Sequence, residues 1–145
     1  TSPTSGKVQT YGKVVSLINL EAGFHPELTG EENIFLNGLL LGMSRKEVSQ
    51  KYKKIVKFSG IEKFIDTPLY TYSQGMKLRI GFSIAIHSNP DILLLDENIA
   101  VGDIQFQKKI LAYLDKFFAQ KKTVIIVTHW RDFLEKNCDR IVEMH

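Results

Sequence analysis

The sequence is poor in the residues that build covalent or thiolate-based sites: one cysteine, Cys138, and one tryptophan among 145 residues. An internal disulfide is excluded, as is a metal site of several thiolates, and such cysteine usage fits a reducing compartment. No apolar run reaches the roughly 18 residues that a membrane-spanning helix needs, and the opening residues lack the pattern of a secretory signal. Charge of one sign is not in large excess either, with a net charge of +3. The lysines group locally (Lys51, Lys53, Lys54 and Lys57; Lys108 and Lys109; Lys121 and Lys122). They read as solvated helix faces, and no nucleic-acid partner is expected. Internal repeats, low-complexity segments and coiled-coil heptads are absent. So is any GxxxxGK[ST] run, whose backbone N–H groups and lysine cradle the β- and γ-phosphates of a nucleotide.

What is present is an ordinary folded composition, 43% hydrophobic and 24% charged, in a chain long enough for a core. Lys7 to Asn19 reads as two short strands around Tyr11-Gly12, with Val8, Val14, Val15, Leu17 and Ile18 as core candidates. A loop with Gly23 and Pro26 follows. Thr29-Gly-Glu-Glu32 and Ser44-Arg-Lys-Glu47 are capping boxes, each opening a helix, the second stopped by Gly60. A short helical turn spans Ile61 to Ile65, and Pro68 marks a loop. Ser73 caps a third long helix to about Ser88.

The pattern then changes. Asn89-Pro90 is a turn, and Ile92-Leu93-Leu94-Leu95 is the continuous apolar run of a strand buried on both faces. Asp103 or Ile104 opens a helix to about Gln120, Thr123 to Val127 is a second apolar strand, Trp130 to Asn137 a short helix, and Arg140 to Glu143 a further strand. Strand and helix alternate, as in an α/β domain with a parallel sheet.

Three features carry chemistry. Asp96 and Glu97 close the strand "ILLLDEN", at the end where parallel sheets hold ligands. An Asp there can hold Mg²⁺, directly or through water. The adjacent Glu can orient or deprotonate an attacking water. Ser73-Gln74-Gly75 opens a helix, whose unpaired N–H groups and partial positive charge suit an anion. His129 follows the strand "TVIIVTH" and can contact a terminal phosphate. Taken singly, each has an ordinary structural reading as well: a strand end, a helix cap, a loop histidine. Asp103, in "AVGD", reads as a helix N-cap.

Their order is more specific than any one of them, and the whole chain resembles the ATP-binding subunit of an ABC transporter. "YSQGMKLR" resembles the ABC signature, "ILLLDEN" the Walker B strand with its catalytic Glu, "AVGD" the D-loop and "VTH" the switch histidine. "HPELTGEEN" resembles the segment between the Q-loop and the helical subdomain. "GFHPELTGEENIFLNG", "YSQGM" and "AVGDIQFQKK" are similar to the branch that exports polysaccharides such as O-antigen, capsule or teichoic acid.

The resemblance implies a partial P-loop NTPase fold, α/β with a parallel sheet and a helical signature subdomain. Residues 1–28 would be a strand hairpin and Q-loop region, 29–88 the helical subdomain with the signature, and 89–145 the α/β core with Walker B, D-loop and switch histidine. It implies ATP and Mg²⁺, with Asp96 serving Mg²⁺, Glu97 the attacking water and His129 the γ-phosphate. Ser73, Gln74 and Gly75 would grip ATP bound to the opposite subunit of a head-to-tail dimer, with Asp103 at the subunit interface. An integral membrane permease would be the second partner, and the place of work the cytoplasmic face of the bacterial inner membrane.

Three departures qualify the match. Gln74 replaces the first glycine of the common signature. No Q-loop glutamine is evident; counting back from Pro26 lands near Leu20 or Glu21. The phosphate loop is missing, and family members carry it upstream of a segment like Pro3–Val8. The chain alone is therefore expected to bind ATP weakly without hydrolysing it, and the 92–95 strand to present a bare apolar face where the phosphate-loop strand would lie. A non-catalytic module derived from such an ATPase, and a non-transport ABC-type ATPase, are the competing readings.

Overall fold

In the computed structural model, which describes residues 3–96, 103–129 and 131–143, the two capping boxes form as the sequence predicts. Thr29 opens helix α1 (Gly30–Leu40). Its hydroxyl accepts from the Glu32 N–H at 3.2 Å, while the Glu32 carboxylate accepts from the Thr29 N–H at 2.8 Å. Ser44 and Glu47 repeat the exchange at 3.3 and 2.7 Å to open α2 (Arg45–Ser59). Each pair satisfies donors that a helix start leaves free. Gly60 ends α2 in the left-handed region, φ 68°, which glycine adopts without strain.

Two single 3₁₀ turns, Glu62–Phe64 and Leu69–Thr71, lead to α3 (Gln74–His87). Every residue from Ile80 to Ile86 in α3 is buried, as expected of a helix surrounded by protein. Ile80 and Ile84 join Ile34, Val48 and Ile55 in the helical cluster. Phe82, Ala85 and Ile86 join the cluster on the sheet.

The sheet has three parallel strands, β1 (Val14–Ser16), β2 (Ile92–Asp96) and β3 (Thr123–Val127), in the order β1-β2-β3. Val15 aligns with Leu93, and Leu93 with Val124. Helix α4 (Ile104–Ala119) makes the crossover from β2 to β3, and α5 (Arg131–Asn137) follows β3. Phe106, Ile110, Leu114 and Phe117 of α4 pack with Val15, Leu93 and Leu95 on one sheet face.

Three expectations are corrected. Only Val14–Ser16 of the expected hairpin is a strand, and Val8, Val14 and Ile18 are exposed, leaving Val15 and Leu17 in the core. The segment before β1 docks on the start of β2 instead: the Lys13 N–H donates to the Asp91 carboxylate at 2.7 Å, and the Asp91 and Ile92 N–H groups both donate to the Lys13 carbonyl. Residues 140–143 form no strand, and Arg131 pairs with Glu143 at 3.3 Å. The 92–95 strand has no open edge, because β2 is central, and only one of its faces is covered: Leu93 and Leu95 are buried, Ile92 and Leu94 half-buried. That open face is most exposed on β3, where Ile125 is 52% and Val127 54% exposed. Parallel sheets normally have both faces covered.

Three lysines converge on the turn between α3 and β2. Lys51 donates to the His87 carbonyl at 2.8 Å, Lys13 to the Ser88 carbonyl at 2.7 Å and Lys122 to the Pro90 carbonyl at 2.8 Å. Cations there complement the negative end of the helix dipole. His87 sits under them, its Nδ1 2.7 Å from the Ser83 carbonyl and its ring edge-on to Phe58. Burial pushes its pKa below the ordinary 6.5, and Lys51 and Lys54 add to the effect against the Ser83 hydrogen bond.

The unfolded chain thus binds more protons at His87 than the folded chain does, over the window below pH 6.5. Stability contributed by the neutral ring should be present above that value and fall as pH drops through the window. Urea midpoints measured at about pH 7 and about pH 5 should show this fall in the wild type and a smaller one in His87→Gln. On the sheet, the Ile125→Thr/Val127→Thr pair should reduce binding of an apolar fluorescent dye and concentration-dependent association. Each substitution should shift stability by no more than about 0.5 kcal/mol in urea, because these side chains are half exposed.

Candidate functional site

Parallel strands deliver their carboxyl ends to one edge, and three chain segments leave from it. Leu17, just past β1, donates its N–H to the Leu94 carbonyl at 2.8 Å, so the loop from 17 to 29 starts there. Asp96 ends β2 opposite Val127. His129 stands two residues beyond Val127, so Asp96 and His129 issue from neighbouring strands at the ligand edge. Asp96 is half-buried and His129 exposed, and both engage other groups of the chain. Glu97 lies outside the described residues.

The first turn of α3 approaches the loop after β1. Ser73 is exposed, and its hydroxyl accepts from the Met76 N–H at 3.2 Å. At Gly75, an added Cβ would meet nothing nearer than the Ser73 hydroxyl oxygen at 3.9 Å, so the backbone of this turn is open to a ligand. The Gln74 side-chain amide donates to the Glu21 carboxylate. The signature position and the loop position where a Q-loop glutamine was sought are therefore joined by one hydrogen bond.

Buried asparagines set the course of this loop. Asn33, 0% exposed, donates through its Nδ2 to the His25, Leu28 and Thr29 carbonyls and accepts from the His25 N–H at 2.8 Å. Asn37 donates to the Gly23 carbonyl at 3.0 Å. A Cβ on Gly23 would collide with the side-chain amide oxygen Oδ1 of Asn37, so only glycine permits this approach.

Asp103 faces its own chain at both carboxylate oxygens. Oδ1 accepts from the Phe106 N–H at 3.0 Å, capping α4 as expected. Oδ2 pairs with the guanidinium of Arg79 on α3, which also lies 5.7 Å from the Phe106 ring centre. No motif or periodicity in the sequence marks Arg79, Asn33 or Asn37 for these contacts, and Glu21 figures there only as lying near the Q-loop position. Arg79 stood inside the quoted run "YSQGMKLR", but no local periodicity relates it to Asp103.

Among the described residues, no three His, Cys, Asp or Glu side chains gather as metal ligands. Mg²⁺ is held through one or two carboxylates, waters and substrate phosphates, and a half-buried Asp96 at the ligand edge fits that requirement. A cradle for the β- and γ-phosphates is not encoded in these 145 residues. Ser73→Ala should cost about 1 kcal/mol in urea unfolding, the ordinary loss for a helix cap. Glu21→Ala should cost less than about half of that, because the released Gln74 amide is exposed to water.

Comparison with known proteins is consistent with this arrangement. The chain is 48% identical over 140 residues to the O-antigen export system ATP-binding protein RfbB of Klebsiella pneumoniae, which covers 97% of this chain and 57% of the relative. It is 45% identical to the teichoic acids export ATP-binding protein TagH of Enterococcus faecalis, over 100% of this chain and 32% of the relative. The chain thus spans between a third and three-fifths of these relatives. Among solved structures, an ATP-binding subunit of an ABC transporter superposes with a TM-score of 0.72 over 88% of this chain and 52% of its own, at 22% identity. A dimeric ATP-binding cassette in a post-hydrolysis state with ADP and Pi gives a TM-score of 0.64 over 81% of this chain and 52% of its own, at 27% identity. The family model described as ABC transporter matches residues 1–100, and the chain belongs to that family.

Proposed function

We propose that this chain is part of the ATP-hydrolysing subunit of an ABC transporter that exports a lipid-linked polysaccharide, of the O-antigen or teichoic-acid kind. The observation that carries the reading is the joint departure of Asp96 and His129 from adjacent strands at one sheet edge. Similarity to both RfbB and TagH along nearly the whole chain supports the cargo class.

Asp96 would hold Mg²⁺, which when bound neutralises charge on the phosphoryl oxygens. Glu97 would orient the attacking water and accept its proton, and His129 would donate a hydrogen bond to the terminal phosphate. Ser73 and the open backbone at Gly75 would serve the nucleotide of a second copy arranged head to tail, using the positive end of α3. Gln74 would join them, its amide bonded to the Glu21 carboxylate in the loop after β1. Asp103 would lie near the seam between the copies. A membrane permease would be the remaining partner, with the ATPase acting from the cytoplasmic face; no described helix is long and apolar enough to cross a membrane.

Isothermal titration of residues 1–145 should give no micromolar ATP affinity, because the phosphate loop is not among them. In the transporter assembled from full-length subunits, Glu97→Gln should lower ATP turnover by about 100-fold or more while ATP still binds. Turnover unaffected by that substitution would rule out the proposed role of Glu97.

A further inference from the structure

We propose that Arg79 is a positioning residue. It ties the helix that presents Ser73–Gly75 to the head of α4, so that the signature turn and the end of the 97–103 connection are held in fixed register. The proposal rests on the reading that both regions serve nucleotide.

Arg79 stands in the second turn of α3, and Asp103 is the N-cap of α4. Two elements far apart in sequence therefore meet through one guanidinium. Its contacts are unusual for a partly exposed pair. One Asp103 oxygen binds the guanidinium while the other accepts the Phe106 N–H. The Arg79 guanidinium also lies over Phe106, whose ring is 2% exposed and packs edge-on against Phe82 of α3. Ion pair, cap and ring contact share residues, so the α3–α4 junction has one geometry rather than several loosely related ones. With side chains 29% and 43% exposed, the pair adds little to stability because solvent screens it. A fixed planar fork contributes orientation instead.

In a head-to-tail pair of subunits, the first turn of α3 would face one nucleotide and Asp96–Glu97 the other. Arg79 then joins the helix that would serve one nucleotide to the head of α4, the helix that follows the strand end serving the other. Coupling through such a link needs two positions whose geometry depends on each other.

The test uses Asp103→Asn, because Asn caps a helix as well as Asp does and the substitution removes only the charge. In residues 1–145, hydrogen exchange at the Met76 and Lys77 amides should accelerate about fivefold, while the Phe106 amide stays protected by the Asn cap. Arg79→Gln should do the same, and the double variant should exceed neither single one, since one link is being cut. Unchanged exchange at Met76 and Lys77 in Asp103→Asn would overturn the proposal, as would effects that multiply in the double variant. If Arg79→Gln does not fold, Asp103→Asn alone decides.

In the assembled full-length transporter, Asp103→Asn should lower kcat by about tenfold with KM for ATP within about twofold, as misplacement of a reacting group does. Faster exchange with unchanged kcat would overturn the positioning role. The parent reading fails separately: a wild-type transporter without ATP turnover, beside accelerated exchange, would remove the ATPase reading and leave the structural tie standing.

Discussion

The burial of α3 is the constraint on which the rest of the structure depends. A helix with seven consecutive buried residues, Ile80 to Ile86, has no solvent face in that stretch and must be enclosed on every side. Phe82, Ala85 and Ile86 commit it to the sheet and α4; Ile80 and Ile84 commit it to α1 and α2. The sheet side and the helical side therefore meet through one element. Its N-terminal turn protrudes from that packed body, exposed at Ser73 and Gln74. The same burial fixes the C-terminal end, where Lys13, Lys51 and Lys122 bind the carbonyls of the following turn.

A turn presented by a helix this deeply held has a set placement relative to the sheet, as the proposed nucleotide site needs. Polar ties refine its placement. Gln74 reaches Glu21 in the loop after β1, and Arg79 reaches Asp103 at the head of α4. The loop bearing Glu21 is itself pinned by Asn33 and Asn37 from α1. The turn, the loop and the sheet edge with Asp96 and His129 thus share a connected scaffold. The Gln74–Glu21 and Arg79–Asp103 links join elements distant in sequence, while Asn33 and Asn37 bind the loop that leads into their own helix.

Much of the local structure was legible beforehand. Thr29, Ser44 and Ser73 announced three helix starts because their hydroxyls compete for free N–H groups at helix ends, and Gly60 announced a stop. The apolar runs 92–95 and 123–127 were read as strands, and the order of "YSQGMKLR", "ILLLDEN", "AVGD" and "VTH" pointed to the family the chain belongs to. The misses fell where strand identity depends on a partner. Val8 and Ile141 stand in stretches that read as strands, yet neither lies in a strand among the described residues. Pairing, not composition, decides that question.

By itself the sequence determined the helix caps, the apolar periodicity, the Asp96-Glu97 pair and the lack of a phosphate-cradling loop, because each resides in adjacent residues or in composition. Only the tertiary structure decided that β2 is central, that Ile125 and Val127 carry the most exposed part of the open sheet face, and that Gln74 turns to Glu21. It alone decided that both oxygens of Asp103 are used within the chain. The reason is physical: strand order and side-chain pairs between remote elements follow from how the packed helices close on the sheet, and no local run of residues encodes that closure.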